Sequence, residues 1–123
     1  MASRVGDIVI DCADAERLAA FWSEALGYRI FDRDETGVAI RGAQTSPDIL
    51  FIKVPEGKTV KNRMHFDIEV ADIDSEADRL VALGATRLSE GPCSEHGSTW
   101  LLMHDPEGNE FCICDGGQNS ATP

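Results

Sequence analysis

Basic residues are scarce in this chain. Eleven Lys and Arg stand against 22 Asp and Glu, a net charge of −11 with histidine neutral. Such a surface repels a phosphate backbone and an anionic bilayer alike, which excludes nucleic acid and membrane as partners. Long apolar runs are missing too: none approaches the roughly 20 residues that span a bilayer. The N-terminus lacks the basic segment and apolar stretch of a secretion signal, so the expectation is a soluble cytoplasmic protein. Cysteine is sparse and unpatterned, at Cys12, Cys93, Cys112 and Cys114, with neither a C-x-x-C pair nor the spacing of a secreted framework. Cys112 and Cys114 share one side of an extended strand, too close in sequence to bridge easily, and reduced thiols are expected.

What is present suits a packed globular chain. Its 123 residues are 42% hydrophobic, with five Phe and two Trp, enough to bury about two-thirds of the unfolded surface. The order of signals occurs twice. Asp7 to Gly27 reads as an alternating strand, an Ala13-Asp14 boundary, an amphipathic helix and Ala25-Leu26-Gly27. His65 to Gly84 repeats it, with Ala71-Asp72 and Leu83-Gly84, displaced by roughly 58 residues. The expected architecture is α+β: two β-α-β-β-β units forming a pseudo-twofold, eight-stranded curved sheet around a cleft, with Asp7 and His65 at matching positions. The units span about 4–57 and 61–116 of a single domain 1–116, and 117–123 is a tail.

Along the chain, strands are predicted over 5–12, 28–33, 36–42, 48–54, 63–70, 86–89, 98–104 and 110–115. Helices follow the first and fifth. Leu18, Phe21, Trp22, Ala25 and Leu26 form the buried stripe of one, and Ile73, Ala77, Leu80 and Val81 that of the other. Ile8, Ile10, Phe66, Ile68 and Val70 should lie beneath the helices. Pro55-Glu56-Gly57-Lys58 marks the linker, and Asp105-Pro106-Glu107-Gly108-Asn109 is a strong turn signal.

Alternation then sets Asp7, His65 and Cys112 away from the helix-covered face. There they line a cleft if the sheets close, or meet solvent like Asp11, Asp67 and Glu69 if they do not. In a cleft, His65 with Asp67 two residues on has the makings of a general base tuned by Asp7; equally, it is a histidine satisfied by its neighbours. Arg63 shares that side and suits bidentate recognition of a carboxylate or phosphate, whereas Lys58 and Lys61 read as solvated linker charges. Trp22 and Trp100 offer flat walls for a ligand or simply core. The stretch 91–97 reads as a loop able to cover a cleft, with Glu95 and His96 as mobile acid-base groups.

The doubled plan, the Phe21-Trp22 and Ala25-Leu26-Gly27-Tyr28 run, and the Asp105-Pro106-Glu107-Gly108-Asn109 turn resemble the vicinal oxygen chelate superfamily over about residues 4–115. That superfamily groups glyoxalase I, extradiol dioxygenases, fosfomycin-resistance transferases and bleomycin-binding proteins. Lys61-Asn62-Arg63 before His65 and Asp67, and Trp100 followed by Glu110-Phe111-Cys112, resemble its glyoxalase-like branch. In metal-dependent members the ligands come from the first and last strands of each unit. The resemblance places them here at Asp7, about Phe51, His65 and Cys112.

Phe51 has no donor atom, and Cys112 stands where a carboxylate is usual. Asp, His and Cys could hold zinc. The expectation is therefore a protein that binds a small organic molecule without a complete metal site, using Arg63, Trp100, Phe51 and Trp22 for the ligand. The alternative is a lyase or isomerase acting on a small carbonyl compound, with His65 as base or metal ligand, Asp7 and Cys112 assisting, and Asp67 as the second catalytic candidate beside His65. No cofactor is expected, a divalent metal being the open alternative, and the resemblance leaves a homodimer open.

Overall fold

The alternation of Ile8, Ile10 and Cys12 with Asp7, Val9 and Asp11 produces β1 (Asp7–Cys12). Asp14 ends it and starts α1 (Ala15–Leu26), its carboxylate accepting the Arg17 backbone N–H at 3.1 Å as an N-cap. Gly27 closes the helix with φ of 70°, a left-handed turn that glycine adopts without a Cβ clash. There follow β2 (Arg29–Arg33), β3 (Gly37–Arg41) and β4 (Asp48–Lys53).

The second half repeats the plan with β5 (Phe66–Glu69), α2 (Ile73–Leu83), β6 (Thr86–Arg87), β7 (Cys93–Glu95), β8 (Ser98–His104) and β9 (Glu110–Cys114). The computed structural model describes residues 5–62, 64–88, 93–95 and 98–114. Two compact units, Met1–Lys58 and Thr59–Pro123, carry this α+β fold.

In the first unit the sheet order is β1-β4-β3-β2, with β1 parallel to β4. Register aligns Ile10, Phe51 and Val38 in one row and Ile8, Ile49 and Ile40 in the next. These rows share a face, and α1 covers it with Leu18, Ala19, Phe21 and Trp22. Phe51, Ile40 and Leu18 are fully buried, each contributing about 1.5–3 kcal/mol by leaving water.

The second unit has the order β5-β9-β8-β6, with β7 also paired to β8. Here β5 is parallel to β9. Phe66 and Ile68 stand beside Phe111 and Ile113, which pair with Met103 and Leu101. Ile73, Ala77 and Leu80 are the buried residues of α2.

Four expectations are corrected. Strand β5 begins at Phe66, so His65 lies immediately before it rather than within it. The expected loop contains β7, held on β8 through Cys93–Trp100, Ser94–Thr99 and Glu95–Ser98 pairing. The described strands thus number nine rather than eight. Val81 is 43% exposed because the covered stripe of α2 is narrow and Val81 lies at its edge.

Candidate functional site

Parallel pairing of β5 with β9 sets Asp67 directly beside Cys112. Paired residues share a face, and on this face both side chains point opposite to Phe66 and Phe111. His65 Nε2 lies 3.2 Å from Asp67 Oδ1, with the two side chains 42% and 64% exposed. One ligand atom from each of His65, Asp67 and Cys112 falls within 4.8 Å of the others. An imidazole, a carboxylate and a thiol therefore converge within the second unit, the first two 47 and 45 residues before the third, because a parallel pair joins the unit's first strand to its last.

The segment entering β5 is pinned from below. The Asn62 backbone N–H donates to Glu110 Oε1 at 2.7 Å, and the Glu110 N–H donates to Asn62 Oδ1 at 3.3 Å. Asn62 Nδ2 also donates to Asn109 Oδ1 at 3.1 Å. Asn109 is itself held by Asp105, whose buried carboxylate accepts from the Asn109 side chain and from the Asn109 and Glu107 backbone N–H groups. His104 Nε2 stands 3.6 Å from Glu110 Oε2.

The positioning role of Asn62 and Glu110 was not foreseen from the sequence. Both residues stand in the motifs that carry the family resemblance, but those motifs do not announce that the two meet; in the structure the last residue of the Asp105–Asn109 turn also reaches Asn62.

Trp100, half-buried, pairs with Cys114 across β8 and β9, and Leu102 pairs with Cys112. Trp100 thus stands on the same face as His65, Asp67 and Cys112. Trp22 does not offer its ring to a ligand: it is 2% exposed and packs edge-to-face on Phe21, with centroids 5.1 Å apart. Phe51 is likewise corrected, lying fully buried on the α1 side of its sheet. The β4 residue on the other face, across from Val9, is Leu50.

Asp7 is exposed in the first unit, paired with Asp48. Lys61 is exposed and Lys58 half-buried. Arg63 and His96 lie outside the described residues, and Glu95 contributes its backbone to β7.

Beside Asp7, Arg41 grips Asp48 through two hydrogen bonds of 2.9 Å and lies 3.8 Å over the Phe31 ring. Those hydrogen bonds, followed by the attraction of Arg41 and Arg29, hold the Asp48 carboxyl below its usual range against partial desolvation. This arginine is committed to a carboxylate of its own sheet.

The donor set can be tested against a divalent ion on its own chemistry. Imidazole, carboxylate and thiol together suit zinc, which accepts N, O and S donors, and suit magnesium or calcium poorly, since those take oxygen. The place that the superfamily resemblance gives to a donor on β4 holds Leu50 and Phe51, neither of which can ligate. The chain therefore fits a three-donor site and does not fit the four-donor one.

A family model described as a glyoxalase-like domain matches residues 7–114. No curated protein matches the chain. Among solved structures, it is similar to a glyoxalase/bleomycin resistance protein/dioxygenase family enzyme from Burkholderia phytofirmans PsJN. The two are 18% identical, with 92% of this chain and 98% of that one covered and a TM-score of 0.75. A glyoxalase-related enzyme from Fulvimarina pelagi is 20% identical, covering 93% and 88%, with a TM-score of 0.73. A glyoxalase/bleomycin resistance protein/dioxygenase superfamily member from Sphaerobacter thermophilus DSM 20745 is 21% identical, covering 94% and 98%, with a TM-score of 0.67. At these identities the likeness speaks for the fold.

Proposed function

The chain belongs to the glyoxalase-like domain family of the vicinal oxygen chelate superfamily, and we propose that it binds a small organic molecule on the open face of its second unit. The observation that carries this reading is the His65–Asp67 pair, 3.2 Å apart and solvent-accessible, on a face that also presents Cys112 and the half-buried Trp100. Polar groups that cost little to leave in water stand beside an aromatic surface, the mixture that orients and covers a small ligand. A ligand carbonyl or hydroxyl would bond to His65, and Trp100 would supply apolar contact.

A second reading, a lyase or isomerase, is favoured by the same pair. Asp67 is placed to stabilise an imidazolium, so His65 could take a proton from carbon next to a carbonyl and return it elsewhere on the substrate. The neighbours' names place enzymes and resistance proteins on this fold, and a fold does not choose between them.

The experiment is a thermal-shift screen of small carbonyl compounds on tag-free protein, repeated with His65→Ala. Compounds that raise the wild-type midpoint should not raise that of the variant, because a ligand stabilises only the form it binds. Equal stabilisation of both proteins refutes the assignment of the face. Turnover of a stabilising compound, lost in His65→Ala, selects the second reading.

A further inference from the structure

We propose that His65, Asp67 and Cys112 form a divalent-metal site complete within the second unit, selective for a thiolate-accepting ion such as zinc. The superfamily resemblance draws donors from both units. Here three chemically distinct donors stand on one short ladder, and neither Asp7 nor any residue of β4 is needed. Their ligand atoms lie within 4.8 Å of one another, and the His65–Asp67 pair is already at 3.2 Å.

Donors around tetrahedral zinc are separated by about 3.3–3.8 Å, as bond lengths near 2.0–2.3 Å require. Closing the set therefore needs about 1 Å of movement or less. Exposed side chains on β5 and the residue before it can supply this by rotation, since Cys112 is fixed in β9 between β5 and β8.

The chemistry sets the selectivity. A thiolate ligand disfavours magnesium and calcium and favours zinc or cobalt(II), and binding releases the Cys112 thiol proton to solvent. Three protein donors leave one position open. An ion there, when bound, would polarise a carbonyl oxygen brought to this face. The inference does not rest on the small-molecule reading, because the ion binds alone.

The test is titration of chelator-treated, tag-free protein with cobalt(II) by itself. The expected result is stoichiometric binding, with the visible bands of a tetrahedral site and a near-ultraviolet sulfur-to-cobalt band, all abolished by zinc. Cys112→Ser should remove the sulfur band. Asp67→Asn should weaken binding by more than the about 10–100-fold that loss of an outer-shell partner costs. Asp7→Asn should leave both bands and affinity unchanged.

Circular dichroism of each variant confirms folding, and Cys112→Ala provides a second thiol-free protein should the serine variant fail to fold. Failure of the wild type to bind cobalt, or a sulfur band that survives both Cys112 variants, overturns the proposal. Equal losses in Asp7→Asn and Asp67→Asn would show a site shared between units and overturn it as well. None of these outcomes touches the thermal-shift result with organic ligands.

Discussion

Asn62 and Glu110 hold each other reciprocally, each backbone N–H donating to the other's side-chain oxygen, at 2.7 and 3.3 Å. The pair clamps the chain three residues before His65 to the first residue of β9, so the approach to β5 is fixed relative to the strand that carries Cys112. Asn62→Ala and Glu110→Ala should each cost about 1–2 kcal/mol, since a partly buried partner loses its bond. The double variant should cost less than the sum, with a coupling of at least about 0.5 kcal/mol. Urea denaturation of the four proteins measures this, and strict additivity would show that the two bonds do not act as one clamp.

His65→Ala should leave stability within about 0.5 kcal/mol, because the side chain is 42% exposed and exposed substitutions seldom do more. Affinity for any ligand found in the thermal-shift screen should fall about ten-fold or more, the worth of one hydrogen bond of 1.5–3 kcal/mol to a charged or polarised group. Calorimetric titration beside a melting curve separates the two effects. A destabilised variant with full affinity would make His65 a structural residue.

Much of this fold was legible because its signals are local. The alternation in Asp7–Cys12, the Asp14 cap and the Gly27 stop each act within a few residues, and the order of elements follows from them. The site was half legible. Cys112 and His65 could be named from repeat and resemblance, but placing β4 needed a register, and register is a property of pairing. Since side chains alternate with a period of two, an error of one residue exchanged Leu50 for Phe51 and moved the expected corner from the open face to the core. The Asn62–Glu110 clamp was invisible for a similar reason: nothing in an asparagine 48 residues before a glutamate announces that they meet. Strand β7 was missed because Cys93-Ser94-Glu95 has no apolar alternation, and its pairing depends on β8.

The two faces of β4 give a direct check on that register. Phe51→Ala should cost about 3–5 kcal/mol as a cavity opens beneath α1, whereas Leu50→Ala, on the half-buried side, should cost distinctly less. Guanidinium denaturation of the two variants decides the matter, and a reversed order would mean that β4 presents the opposite face to the helix.

Acid sensitivity should depend on Asp48. Its carboxyl is held below the usual range, first by the Arg41 hydrogen bonds. The stability this contributes is present above the ordinary carboxylate pKa and is lost as pH falls through the depressed, folded value. Asp48→Asn should therefore flatten the fall in melting temperature across that acidic window, while changing the profile little near neutrality beyond a constant offset. Parallel acid profiles for wild type and variant would exclude the pair as a source of pH dependence.

The turn anchored by Asp105 has a consequence that substitutions do not reveal. Strand β9 reads Glu110, Phe111, Cys112, Ile113, Cys114, an alternation of polar or thiol residues with hydrocarbon ones, and the turn sets its phase against β8. The chain should be intolerant of a single inserted residue in this turn, even one that leaves the Asp105 hydrogen bonds in place. One extra residue between His104 and Glu110 would move Phe111 and Ile113 off the helix side and turn the half-buried Cys112 toward it. The turn thus acts as the reading frame of the strand, its length deciding which side chains of β9 reach the face that carries the chemistry.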